Sequence, residues 1–376
     1  EKKDIRNILE KINISKVLLT SLLSVGILLA ISLIIKIIIG IYFPEISNIV
    51  NPLHIIMVLN IGSLSGYSST MLGAGSVNID IGILVLLIAP IISITISNVI
   101  VMRKENKNLN SVLLNSLGVG IFYGLILSII SIFATIKSNP MDMMEYGFSL
   151  NFRYNLFEIL INGFFIGFLC SYIFGFKRKY KNDNMYLNIF KDAVNTVGIG
   201  YISVFIILLI LSMSNSSLLN ELGIYGYIGK INIGVILTQL SAYIWEFANM
   251  IPITINNNII SIINLLNEDM FFNTRLIFFA MIALSLLVIL ITGCNIRDKY
   301  SENGKKAILI FAISYSMLMV ILSIFSNIRL EGSIDMFKMN NYQTSIFMGT
   351  NTVPTMVISF VYSYFISWIG YKLKKI

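Results

Sequence analysis

Glu246 is the residue of this chain best placed to do chemistry. It sits in Ser241-Ala-Tyr-Ile-Trp-Glu-Phe-Ala-Asn249, flanked by Trp245 and Asn249, within an apolar run over 231–251. An ionisable side chain at bilayer depth costs about 2.5–3.5 kcal/mol on insertion scales, so one kept there is a functional suspect. Two environments fit the sequence. If the run re-enters a membrane, Glu246 and Asn249 face a polar cavity; if it lies along the interface, Glu246 points to water beside a tryptophan anchor.

Asp80 and Glu158 each open an apolar run, where a carboxylate complements the helix macrodipole. Pro90 lies mid-run in Leu87-Ile-Ala-Pro-Ile-Ile92, and Pro354 lies in the last run. A proline there removes a helix hydrogen bond and bends the helix, which opens space between neighbours. Glu246, Asn249, Pro90, Asp80 and Glu158 are thus the candidate pathway or binding residues. Lys36 is expected to snorkel to headgroups, and Asp192 and Asn195 to cap the helix they enter. His54, the single histidine, has no acidic or cysteine neighbour in Asn51-Pro-Leu-His54 and reads as an interfacial residue.

Signatures of catalysis are missing. The sequence holds no Gly-x-x-x-x-Gly-Lys, no His-Glu-x-x-His and no paired intramembrane aspartates. Gly62–Ser76 is rich in Gly and Ser but has no lysine to meet a phosphate. Cys170 and Cys294 are too few for a zinc site and fall near helix ends expected to be cytoplasmic, where disulfides are rare. The expectation is therefore a protein without catalytic residues, metal or cofactor.

The elements that must hold these residues follow from composition. Of 376 residues, 56% are hydrophobic and 12% charged, against about 25% charged in soluble domains; mean hydropathy is +0.83. Charges collect between runs of roughly 20 apolar residues, the length that crosses an ~30 Å hydrocarbon core. Lipid offers no partner for free backbone groups, so such runs are helices; barrel strands would alternate over ~10 residues instead. Spans are expected at about 15–42, 79–102, 111–136, 155–176, 189–213, 274–294, 306–327 and 348–371. The first is too long for a signal peptide and has no small-residue cleavage site. The chain opens at Glu1 rather than methionine, which leaves room for a soluble domain upstream.

Segments 1–16, 103–110, 177–188 and 295–306, the tail from Lys372, and Lys191 hold every Lys and Arg except Lys36, Lys137, Arg153, Lys230, Arg275, Arg329 and Lys338. By the positive-inside rule that side is cytoplasmic, with both termini. The net charge of +8 then reflects membrane topology, and no nucleic-acid partner is expected. The segments 44–78 and 214–273 stay outside. Counting 231–251 as a ninth span would move Arg297, Lys305 and Lys306 outside, so 53–78 and 231–268 are expected to hold re-entrant or interfacial helices.

The two halves also rhyme. Ser171-Tyr-Ile-Phe-Gly-Phe-Lys-Arg-Lys179 and Ile366-Ser-Trp-Ile-Gly-Tyr-Lys-Leu-Lys374 both close a span with aromatics, a glycine and basic residues. Arg103 matches Arg297, and Ser131-Ile-Phe133 matches Ser323-Ile-Phe325. The fold expected is an all-α polytopic membrane protein of about eight spans, built as two parallel four-helix repeats. It comprises a cytoplasmic segment 1–14, a first repeat 15–180, a linker 181–188 and a second repeat 189–376. Gly120, Gly124, Gly163 and Gly167, with Ala312, Ser316, Ser359 and Ser363 in the second repeat, supply faces on which helices approach closely.

Function is less legible than architecture. A permease-like conduit in a bacterial cytoplasmic membrane fits best, the bacterial source being suggested by the heavy use of Ile, Asn and Lys. Sparse intramembrane charge favours an apolar or weakly polar cargo. Membrane lipids are the expected partners, with a homo-oligomer, a separate ATPase or another subunit beside them. The other reading is a non-transporting scaffold or sensor that binds an envelope component.

Overall fold

A computed structural model describes residues 13–70, 73–102, 109–137, 149–175, 184–214, 233–256, 258–263, 272–336 and 340–373. Eight helices among them are long and apolar enough to cross a membrane, so the chain is a multi-pass membrane protein. It divides into two compact units.

The first unit comprises Glu1–Ile81, Leu86–Asn182 and Arg329–Ile346. Its spanning helices are α1 (Ile14–Tyr42), α4 (Ile88–Val101), α5 (Leu109–Phe133) and α6 (Leu156–Gly175). Two short helices, α2 (Pro44–Ile49) and α3 (Pro52–Leu59), follow α1. The Asn51 side chain accepts from the His54 N–H at 3.0 Å, and Pro52 takes the first helical position, so α3 begins where its sequence says it must. Helices α5 and α6 meet backbone to backbone. A side chain on Gly163 would come within 2.8 Å of the Gly124 Cα, and one on Gly167 within 3.0 Å of the Gly120 Cα. Lys36 donates to the Ser47 and Val50 carbonyls at 2.7 and 2.5 Å, tying α1 to the α2–α3 junction.

The second unit comprises Gly82–Val85, Asp183–Ile328 and Phe347–Ile376. Its spans are α7 (Met185–Ser214), α9 (Phe272–Lys299), α10 (Gly304–Ser326) and α11 (Thr352–Leu373), with the shorter α8 (Ile233–Ala248) packed among α7, α9 and α10. Thr355, Ser359, Ser363 and Ser367 form a fully buried stripe on α11. Side chains on Gly293 or Gly370 would strike the Ser367 and Leu290 carbonyls between α9 and α11. At the basic end, Lys299 pairs with Asp192 at 2.9 Å and Arg297 donates to the Tyr371 carbonyl at 2.8 Å. Lys372 lies 4.3 Å over the Trp368 ring.

The outer segments hold more than helices. In the first unit, β1 (Leu64–Thr70) and β2 (Gly73–Ile81) form a hairpin, and β1 also pairs with β4 (Ser149–Tyr154) from Leu64↔Tyr154 to Ser69↔Ser149. Strand β3 (Ile136–Lys137) borders β4, and β7 (Ile328–Met336) lies next to β2, the two joined by a 2.7 Å Ser76–Ser333 hydroxyl contact. In the second unit, β5 (Ile253–Ile255) and β6 (Asn258–Ile260) form a short hairpin, and β5 pairs with the end of β8 (Asn340–Gly349). Every hairpin connects spans at the ends opposite the basic loops. That placement is required, because an open sheet edge cannot be satisfied in hydrocarbon.

Expectations at the starts of the spans change, and Asp192 and Asn195, expected to cap α7, lie inside it. Asp80 does not open the second span: it lies in β2, one residue before its end, and the span starts at Leu84 with a 3-10 turn. Pro90 falls in the first turn of α4, after a 3-10 turn over Leu84–Leu87, and Pro354 in the first turn of α11. In a first turn the missing N–H has no helical partner to lose, so Pro354 does not bend α11 mid-way; Pro90 marks the change from 3-10 to α turns within the Leu84–Val101 span. Substituting Gly124 by valine is expected to cost about 1–3 kcal/mol by overpacking, because a Cβ there would sit 2.5 Å from the Leu160 carbonyl. Gly26→Ala, where nothing lies within 4 Å, should leave the thermal midpoint of the purified protein in detergent unchanged.

Candidate functional site

The end of a short helix buried in a bundle leaves backbone carbonyls with no water to meet. Both units solve this with an asparagine and a tyrosine. In the first, Asn60 follows α3 and its Nδ2 donates back to the Ile56 carbonyl at 2.9 Å, while the Tyr123 hydroxyl of α5 donates to its Oδ1 at 2.9 Å. In the second, Asn249 follows α8 and donates to the Trp245 carbonyl at 2.7 Å, while the Tyr315 hydroxyl of α10 donates to Asn249 Oδ1 at 2.8 Å. All four side chains are fully buried.

The next residue is left-handed in each case, Ile61 at φ 54° and Met250 at φ 66°. Neither is glycine, and such a conformation costs about 1–3 kcal/mol at a residue with a Cβ. The chain then closes with Gly62 N–H to the Met57 carbonyl at 2.9 Å and Ile251 N–H to the Glu246 carbonyl at 3.2 Å. From there it enters β1 and β5 respectively.

Beside the second turn lies the most buried carboxyl among the described residues. Glu246 has no solvent exposure. The Ser326 hydroxyl, at the end of α10, donates to Oε1 at 3.4 Å, and the Thr350 hydroxyl, just before α11, donates to Oε2 at 3.2 Å. Thr350 is itself fixed by Ser323, at 2.7 Å between hydroxyls, and by both ends of the Asn327 amide. Gln239 Nε2 and the Tyr243 hydroxyl donate to the Ser326 carbonyl. Among the described residues no cation pairs with Glu246. Helix α8 is not one of the eight spanning helices, and burial pushes the Glu246 carboxyl up to about 8, the two hydroxyl bonds pulling weakly the other way.

The remaining candidates divide between the units. Asn249 joins Glu246 at this site. Glu158 and Asp80 lie in the first unit, where the Ser63 hydroxyl donates to the Glu158 carboxylate. Burial raises the Asp80 carboxyl, opposed by Arg329 and a Ser63 hydrogen bond. Pro90 is buried in α4 and contacts none of these carboxyls through a hydrogen bond. His54 is buried rather than interfacial, its ring 5.9 Å from that of Tyr154, and burial with the nearby Lys36 lowers its imidazole. The sequence reading missed Asn60, Tyr123, Tyr315, Ser326 and Thr350. The signal was the recurrence of Asn, then an apolar residue, then a strand after a short apolar run. Among the described residues no three His, Cys, Asp or Glu side chains gather to hold a metal.

Compared with known proteins, the chain matches no family model, no curated protein and no solved structure. Its function is therefore argued from the site alone.

Two measurements test the site. Asn249→Ala is expected to cost about 1–3 kcal/mol, because the Tyr315 hydroxyl and the Trp245 carbonyl lose their partner in a buried place. Tyr315→Phe should cost less on that background than alone, and a double-mutant cycle of denaturation in detergent measures the coupling. The second concerns pH. A carboxyl raised on folding favours the protonated state, so stability is full below about 4.5 and falls as pH rises toward about 8. The thermal midpoint of the native protein should drop between pH 5.5 and 9, and that of Glu246→Gln should drop less.

Proposed function

We propose that the chain is a tandem duplication of a four-span unit and works as a permease-like conduit for an apolar or weakly polar cargo. The observation that carries this reading is the short buried helix ended by an asparagine-capped, left-handed turn after the first span of each unit. Non-helical backbone among spanning helices is tolerated where protein buries it or where it lines a cavity. Interrupted apolar segments at corresponding places in two halves are the best sequence-level pointer to a transport site. On this reading α3 and α8 are re-entrant, and Glu246 and Asn249 line the path in the second unit. The membrane is a bacterial cytoplasmic membrane, both termini are cytoplasmic, and the strands face outward.

Internal packing supports two bundles that each move as a body. Glycines bring the α5 backbone against that of α6, and α9 against α11. Such bodies suit alternating access by rocking. With so few buried charges among the described residues, energy is better drawn from a separate ATPase or partner subunit than from a steep ion gradient. A scaffold or sensor that binds an envelope component is the second reading. It is favoured by one observation: the paired Asn–Tyr turns already satisfy each other, as a static anchor would require.

Cysteine accessibility separates the two. On a background lacking Cys170 and Cys294, single cysteines along 233–251, along 53–78 and beside Pro90 are probed from outside with a membrane-impermeant thiol reagent. A conduit labels at Glu246 and Asn249 as well as on the hairpins. Labelling confined to the hairpins supports the anchor, and labelling of the 103–110 loop from outside overturns the orientation.

A further inference from the structure

Glu246 gains meaning from what stands in its place in the first unit. The two turns give a common frame, Asn60 with Asn249 and Tyr123 with Tyr315. Three residues before each asparagine, at the carbonyl that closes the turn, stand Met57 and Glu246. Eleven residues beyond each tyrosine stand Ala134 and Ser326. Immediately before the asparagine whose carbonyl opens the fourth span stand Tyr154 and Thr350; those carbonyls accept from Ile159 N–H at 3.1 Å and Thr355 N–H at 3.0 Å.

The three positions differ together. In the first unit Met57 is fully buried, Ala134 offers a methyl group, and the Tyr154 hydroxyl turns to the His54 carbonyl at 3.5 Å. In the second the same places bring two hydroxyls within hydrogen-bond reach of a carboxyl. A lone buried carboxyl would be an expensive accident. A carboxyl that arrives with two donors, on two separate elements, is a built site.

We infer that the second unit carries a proton-binding site, Glu246 held between Ser326 and Thr350, at a place where the first unit keeps an apolar core. The inference rests on the duplication proposed above but not on transport. The proton adds to a carboxylate oxygen and leaves from it, with no other bond made or broken. Neutral Glu246 suits a dry pocket; the carboxylate would have only two weak donors and, among the described residues, no cation to face it. Helix α8 packs against α7, α9, α10 and β5. Those elements bring only phenols close: Tyr201 of α7 on the Thr238 carbonyl and Tyr315 of α10 on Asn249, beside Tyr243 of α8 itself. From α11, Tyr362 meets Ser285 of α9. β5 carries no titratable side chain, and Arg275 stands in the first turn of α9, ten residues before Ser285. The other charges of these helices, Lys191, Asp192, Arg297, Asp298, Lys299, Lys305, Lys306 and Lys372, belong to their basic ends.

Ser326 ends α10 and Thr350 precedes α11, so the proton sits where α8 grips both ends of the β7–β8 connection. Loss of the proton leaves a buried charge that only water entering that junction can relieve. Protonation therefore holds the junction closed, and deprotonation opens it.

Infrared difference spectra of the whole protein in lipid vesicles, titrated from pH 5 to 9.5, test this. The native protein should show the carbonyl stretch of a buried, protonated carboxylic acid that vanishes with a midpoint above the usual carboxylate range. Glu246→Gln should abolish the band while circular dichroism stays native. The Ser326→Ala/Thr350→Val double variant removes the donors that favour the carboxylate, so its midpoint should rise by about one pH unit, a tenfold gain in proton affinity. A titrating band that survives Glu246→Gln, or none at any pH in the native protein, overturns the site. So does loss of the band on adding sodium at constant pH, which would make this a metal-cation site. Cysteine labelling reads the conduit separately, so either proposal can fail without the other.

Discussion

An end of helix inside a bundle of helices has to be paid for in hydrogen bonds, and the rest of this structure is arranged around that need. Carbonyls at the ends of α3 and α8 cannot reach water, so an asparagine amide turns back on them and a tyrosine from the third span holds the amide. Both halves of each amide are engaged. That leaves the rotamer of Asn60 and Asn249 no alternative and lets the following residue take a left-handed conformation. With the chain thus reversed, a strand can start toward the same end of the bundle from which the helix came. The hairpins, their pairing with the strands before the fourth span, and the site of Glu246 all follow from this reversal.

Two kinds of contact hold the bundles around these turns. Glycine faces let backbones touch where lipid supplies no hydrophobic drive between helices. Serine and threonine stripes return their hydroxyls to their own helix, as Ser24 does to the Thr20 carbonyl at 2.7 Å and Ser359 to the Thr355 carbonyl at 2.5 Å. The stripe is polar in composition but presents a small, dry surface. Elsewhere a hydroxyl reaches across, as between Thr196 and Thr292 at 2.9 Å or from Ser21 to the Val119 carbonyl at 3.3 Å.

The spans were legible because their signal is long and one-dimensional: roughly 20 apolar residues between charges leave little choice. The strands were not read, although Leu150-Asn-Phe-Arg-Tyr154 alternates in a strand period, as do Val77, Ile79 and Ile81. Those stretches are short and stand next to runs whose apolar content dominates any window. The site was half legible. Glu246 stood out because a carboxylate in an apolar run is rare, and Asn249 stood beside it. Ser326 and Thr350 are 80 and 104 residues away and common in type, so only folding could name them. Asp80 and Glu158 looked like the same feature twice, yet one lies in a strand and the other in the first turn of a helix.

The chain does not keep its two units separate in sequence. Residues Arg329–Ile346, late in the chain, belong to the first unit, where β7 lies against β2. A polypeptide cut just before α7 would leave its amino-terminal half with β2 as a bare edge. An unpaired edge is a template for another copy of the same strand. The later half therefore acts as a clasp on the earlier one: neither half is a complete product of the ribosome, and the first to emerge waits with an open seam until the second has nearly been made.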